Sequence, residues 1–201
     1  MLPNCMKPMK AFLILAFLVL VPQTQAATGP DLASGTDTGY FTKLRFDTAQ
    51  EQGYSSIWKP DPDRKKIQDT YHAGDTDKVL ILADDWLRRL PIDADVQLMV
   101  AMCYKERGDL ASMCRHLNVF YGLLGSIASG GDGLSEQTAF KVVSVDEEYS
   151  LVQEIGGKVT SQKLHGNFDR LEVERKNGKT LTLYFDVSAH LKALTKSIEG
   201  K

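Results

Sequence analysis

The residues Tyr71-His72-Ala73-Gly74-Asp75 recur in looser form 34 positions on as Lys105-Glu106-Arg107-Gly108-Asp109. They do so inside a stretch, Arg64 to Ile127, whose apolar spacing is helical from end to end. A recurrence at that distance has room for two short helices and their turns, so it restricts this part of the chain to stacked helical hairpins. Aligned on the Gly-Asp turns, Val79, Ala83 and Trp86 fall on the inward side of the helix after the first turn, and Pro91 falls where the unit ends. The second unit places Val100, Ala101 and Tyr104 before its turn and Met113, Leu117 and Phe120 after it.

This period resembles that of tetratricopeptide repeats, with departures: Lys66 and Ile67 replace the expected large-then-small pair, and Met113 stands where a small residue is usual. A plain helical bundle with the same spacing is the alternative reading. Two such units seldom bury a full core by themselves, so the flanking segments are expected to cap them.

Beyond Ile127 the pattern changes. Ser129-Gly130-Gly131-Asp132-Gly133 is a turn-rich breaker, and the β-branched run Phe140 to Val145 reads as a short buried strand. Asp146 can cap a helix carrying Tyr149, Val152 and Ile155 on one side, with Glu147 and Glu148 near its positive end; Gly156-Gly157 stops it. Val159 to Leu164 reads as a second strand and Phe168 to Val187 as a hairpin. A two-residue Asn177-Gly178 turn would put Leu181, Leu183 and Phe185 on one face with Glu172 and Glu174. One residue of shift swaps the faces, so a three-residue loop, Lys176-Asn177-Gly178 with Gly178 left-handed, sets Leu171 and Val173 beside Leu183 and Leu181. Ser188 then caps a last helix whose Leu191, Leu194 and Ile198 point back to the sheet. The expected fold is α+β: an N-terminal helical region of tetratricopeptide-like hairpins, 40–128, packed on a C-terminal β-α-β-β-β-α unit, 129–201.

At the other end, Lys7 and Lys10 precede an apolar run from Ala11 to Val21, and Thr24-Gln25-Ala26 offers small residues for cleavage after Ala26. That order is the pattern of a secretory signal peptide over residues 1–26. Eleven residues at ~1.5 Å each reach roughly 16 Å, about half of a ~30 Å hydrocarbon core, so a membrane anchor is not expected. The segment carries two lysines and no acid, and its removal takes the formal charge from −2 to −4. A mildly acidic chain without a basic run has no footprint for nucleic acid, and no stable membrane insertion is expected. The stretch 27–39 reads as a flexible leader before a short helix bearing Phe41, Leu44 and Arg45, and Lys59-Pro60-Asp61-Pro62-Asp63 breaks the chain before the hairpins.

Phe41-Thr42-Lys43-Leu44-Arg45, Tyr54, Ser129-Gly130-Gly131-Asp132-Gly133, Glu136-Gln137-Thr138-Ala139-Phe140, Glu147-Glu148-Tyr149, Ser161-Gln162 and Tyr184-Phe185-Asp186-Val187-Ser188 together resemble an exported bacterial family, domain of unknown function forty-nine nineteen. Where that family usually carries Ser-Gly-Asp-Gly, this chain has one extra glycine. The resemblance implies an exported bacterial protein of about this length and implies no activity.

Asp132, Ser135 and Glu136 form the most distinctive polar cluster. They are candidate binding residues with oxygens a calcium ion would accept, although the spacing is not that of an EF-hand. The plainer reading is a helix stop followed by a capping turn, with Ser135 as the cap. Tyr149 and Tyr184 are further candidate contact residues. Cys103 and Cys114, the only cysteines left after processing, lie roughly level on antiparallel helices. A bridge between them would contribute about 3 kcal/mol, and two buried free thiols are the alternative. No Cys-x-x-Cys or His-x-x-x-His spacing supports a metal site from Cys103, Cys114, His72 and His116, and no cofactor motif or nucleophile elbow is present, so no catalytic residue is assigned. Glu147-Glu148 read as a solvated helix start, since neighbours on a helix do not face each other. The function these observations favour is a non-catalytic module of the periplasm or cell exterior, in which the helical hairpins present a groove to a protein or peptide partner. Two alternatives stand beside it: an envelope enzyme with a site around Asp132, Glu136 and His165, and an inhibitor or immunity-type protein.

Overall fold

A computed structural model describes residues 37–51, 54 and 61–199, apart from the side chains of 194 and 196–199. The expected signal peptide, the leader up to residue 36, Pro60, and the Leu194 and Ile198 side chains lie outside the described residues.

The helical half comprises α1 (Thr38–Thr48), α2 (Pro62–His72), α3 (Thr76–Arg89), α4 (Ala94–Glu106) and α5 (Leu110–Ala128). An aspartate caps every one of them: Asp37, Asp61, Asp75, Asp93 and Asp109 each accept a backbone N–H from the first turn they precede. This explains the 34-residue recurrence physically. Gly74 and Gly108 sit at φ of 76° and 73°, where a side chain would be strained, and the aspartate that follows each one starts the next helix. Residues 38 and 39, expected to belong to the leader, are helical: α1 begins at Thr38, and the Asp37 carboxylate accepts Tyr40 N at 2.9 Å. Pro62 opens α2, its missing N–H falling where no intrahelical partner exists.

Ile67, Val79, Ala83, Trp86, Val96, Val100 and Cys103 form the core of the α2–α4 layer. Ala101, two residues from Cys103 and so on the far side of α4, meets Met113 and Cys114 of α5 instead. The two cysteines therefore address different sides of α4, and Cys103 carries a free, buried thiol; the Cys103–Cys114 bridge is not formed.

The α+β half follows as β1 (Phe140–Lys141), α6 (Val145–Glu154), β2 (Gly157–His165), β3 (Phe168–Arg175), β4 (Thr180–Asp186) and α7 (Ser188–Glu199). The strand order is β1-β4-β3-β2, with β1 parallel to β4 and the other pairs antiparallel. In the hairpin Leu171 pairs with Leu183 and Val173 with Leu181, and Gly178 turns at φ 75°, as the bulged loop requires. The first strand is shorter than the run Phe140 to Val145. Val143 N donates to Glu147 Oε2 at 2.8 Å rather than to a ladder, and Ser144, not Asp146, caps α6. Tyr149 leaves the apolar side of α6, where Leu151 and Val152 are buried instead.

One core serves both halves. Phe120, Leu123, Leu124 and Ile127 from the end of α5 pack with Leu151 and Val152 of α6 and with Leu171, Val173 and Phe185 of the sheet. Each such side chain contributes about 1.5–3 kcal/mol on burial. Phe41 anchors α1 on α5 by lying against Gly122, where a Cβ would collide with its ring. Among the described residues no helix is long and apolar enough to cross a membrane.

Candidate functional site

Helix α6 opens with Asp146, Glu147 and Glu148, and the structure gives each carboxyl a different environment. Successive residues on a helix point about 100° apart, so one turn addresses three sides. Glu147 faces α1. Arg45 Nε and Nη2 reach its two oxygens, each at 2.7 Å, while Nη1 donates to Ser126 Oγ at 3.1 Å and Nη2 also to the Lys141 carbonyl at 2.7 Å. The Arg45 and Glu147 side chains are 1% and 5% exposed, which makes this a buried, forked and fully satisfied ion pair.

Asp146 faces the hairpins. Arg64 donates from Nε to Asp93 Oδ2 at 2.7 Å and from Nη2 to Asp95 Oδ2 at 2.9 Å, and its Nη1 lies 3.9 Å from Asp146. Trp86 Nε1 joins Asp93 at 2.8 Å, and Ser150 Oγ of α6 donates to Asp95 at 2.7 Å. Burial pushes the Asp146 carboxyl up to about 6, opposed by Arg64 and reinforced by Asp93, Asp95 and Glu147. Between the two arginine clusters lies a cavity of about 20 Å³, water-sized, lined by polar groups including Tyr54, Asp93 and Ser144.

Glu148 faces the sheet and is 0% exposed, beside Asp169 at 3%. Gln162 Nε2 donates to Asp169 Oδ2 at 2.7 Å and, more weakly, to Glu148 Oε2 at 3.4 Å, and Tyr149 donates its hydroxyl to Gln162 Oε1 at 2.8 Å. As an anion Glu148 leaves Oε1 without a donor. As a neutral acid it gives Asp169 a hydrogen bond, and burial, then the Asp169 charge, push its carboxyl up to about 9. Burial lowers the neighbouring His190 imidazole, against the pull of Asp169 and a backbone bond at Val143. The solvated start expected for Glu147 and Glu148 is thus overturned. Both are inside, one neutralised by an arginine and the other by a proton. A proton held between carboxyls is chemistry a hydrolase uses, yet neither Glu148 nor Asp169 lines any of the three cavities described in this molecule.

The glycine-rich loop is a capping turn. Ser135 caps the 3₁₀ turn Glu136–Thr138 and accepts Thr138 N, while Asp132 Oδ1 accepts Leu134 N at 2.9 Å and the Thr138 hydroxyl at 2.6 Å. Position 131 requires glycine, since a Cβ there would strike the Thr138 carbonyl. Gly133 O accepts Tyr184 N at 2.8 Å, fastening the loop along β4. Asp132, Ser135, Glu136 and Tyr184 are therefore neighbours, and Tyr149 is in a separate network with Gln162. Glu136 meets His165 at 3.4 Å, but the His165 side chain is 86% exposed, and these residues line none of the three cavities. An enzyme site around Asp132, Glu136 and His165 would need an enclosure that this open surface lacks.

A groove of about 740 Å³ opens elsewhere, between the end of α1, the β1–β4 pair and α7. Phe46, Ala49, Val142, Ala189, Leu191 and Ala193 give it an apolar lining, and Lys141, Asp186 and Lys192 supply its charges among the described residues. A second cavity, about 240 Å³, lies in the hairpins near Tyr71, Thr76 and Cys103. The glycine-rich loop contributes to neither.

The family model of the domain of unknown function DUF4919 matches residues 38–196. The chain belongs to that family. No curated protein and no solved structure matches it. The segments that carry the DUF4919 likeness meet in the networks just described: Phe41 and Arg45 on α1, Glu147 and Glu148 on α6, Gln162 on β2, and Tyr54, whose hydroxyl donates to Val143 O at 3.0 Å. Burial, with Glu147 and Asp146 nearby, pushes the Tyr54 phenol up. Two of the buried acids carry a sequence signal. Glu148 stands three and four residues before Leu151 and Val152, on their side of the helix, and Asp169 stands two before Leu171, on the inner face of β3. Lys141 and Lys192 had none.

Proposed function

We propose that this DUF4919 protein is an exported, non-catalytic binding module of the bacterial envelope that holds a peptide or protein segment in the groove between α1, β1–β4 and α7. The single observation that carries the reading is the groove itself: about 740 Å³ with a mostly apolar lining, a size and character suited to taking a ligand. The tetratricopeptide-like spacing of the hairpins supports a scaffolding role, and the Lys7, Lys10 and Ala11 to Val21 pattern supports export. In this reading the partner binds at the α1–α7 groove rather than on the hairpins, whose cavity is about a third as large. The buried carboxyls of α6 are structural, holding the halves in the arrangement that shapes the groove.

Site-specific photo-crosslinking in envelope extract tests this. A crosslinker at Gln50, on the groove, is expected to trap a discrete partner, whereas one at Lys179, on the hairpin tip, is not. Equal labelling from both positions, or none from Gln50, removes the groove as the binding site.

A further inference from the structure

The groove's charges are unevenly committed. Asp186 Oδ1 accepts both Ser188 N, at 3.0 Å, and the Ser188 hydroxyl, at 2.5 Å, so the only described acid in the lining is engaged in starting α7. Lys141 and Lys192 have no ion-pair partner among the described residues. Their anchor points are firm. Arg45 binds the Lys141 carbonyl at 2.7 Å while β1 pairs with β4, and Lys192 projects from the second turn of α7. Both lysines are exposed and border an apolar lining from α1 and α7, which places two uncommitted positive charges at the edge of an apolar surface.

We propose that the groove selects an acidic peptide segment, its apolar side chains seated against Phe46, Ala189 and Leu191 and its carboxylates paired with Lys141 and Lys192. This rests on the groove being the binding site, and it adds the sign of charge the occupant must carry. Opposite charge over an apolar floor gives two separable signatures: preference for acidic over basic sequence, and affinity that falls as salt rises.

Fluorescence anisotropy on the mature chain tests it, with labelled eight-residue peptides of one apolar core flanked by Glu, Gln or Lys. The expected order is Glu over Gln over Lys, with at least tenfold between the extremes and a loss of affinity for the Glu peptide in high salt. The double variant K141E/K192E is expected to invert that order, and Ala189→Trp, which fills the groove without changing its charge, to weaken all three peptides alike. Circular dichroism confirms that each variant is folded, and Lys→Gln replacements serve if charge reversal unfolds the chain. Binding that ignores peptide charge but is blocked by Ala189→Trp overturns the selectivity and leaves the groove in place. Binding to none of the peptides, or binding that Ala189→Trp leaves intact, overturns both.

Discussion

Two sides of the same helical turn handle buried charge in opposite ways. Toward α1, Glu147 meets a forked arginine, and every donor and acceptor around it is used. Toward the sheet, Glu148 meets Asp169, a group of its own sign, and only a retained proton makes that contact favourable. The first arrangement costs desolvation of two ions and recovers it through short, directed bonds; the second avoids ionising one of them. Burial alone does not set a carboxyl's state. The sign of its neighbour does, and mutation reads the first arrangement while pH reads the second.

The largest effect is expected at Arg45. Arg45→Ala leaves Glu147 buried and unpaired, and urea denaturation should show a loss of about 3–5 kcal/mol, with the double variant R45M/E147L recovering much of it. If R45A cost under about 1 kcal/mol, the pair would not be the buried clamp described. The delivery of Arg45 depends on α1 seating Phe41 against Gly122, so Gly122→Ala is expected to cost about 1–3 kcal/mol through overpacking, also read by denaturation.

The sheet side is sharpened by pH. In the folded state Glu148 keeps its proton to about 9, far above its ordinary value of 4.5, so the unfolded chain binds fewer protons through that interval. The stability this group contributes is full below about pH 4.5 and is lost as pH rises toward 9, at up to about 1.4 kcal/mol per unit. Asp146, raised to about 6, adds a slope of the same sign only at lower pH. Between about pH 6.5 and 8 the wild type should therefore lose about 2 kcal/mol that Glu148→Gln does not lose, since glutamine has no proton to release. Parallel stability curves for the two proteins would show that Glu148 is ionised in the fold. The smallest effect is the control outside the core: the Lys65–Asp69 pair is 62% and 63% exposed, and Lys65→Ala should change stability by no more than about 0.5 kcal/mol.

Local physics made much of this fold legible in advance. The Gly-Asp turns, the inward faces of Val79, Ala83 and Trp86, and the bulged hairpin register all follow from rules that act within a few residues: left-handed glycine, side-chain capping, helical phase and strand alternation. Family membership was legible too, in segments spread along nearly the whole matched region. Less legible was the fate of charged side chains. Glu147 and Arg45 are 102 positions apart, and nothing near either one announces the other.

Where helices begin and turn, which strand faces are apolar, and that an all-helical stretch is followed by an α+β one can be read from residue order alone, because each of these is decided by neighbours along the chain. Folding in three dimensions is what makes both halves share one core, brings three adjacent carboxyls to an arginine cluster, a forked ion pair and a fellow acid, and sets Lys141 and Lys192 along one groove. Those outcomes depend on distances through space between residues far apart in sequence, and charge, unlike hydrophobic period, carries no local mark of what it will face.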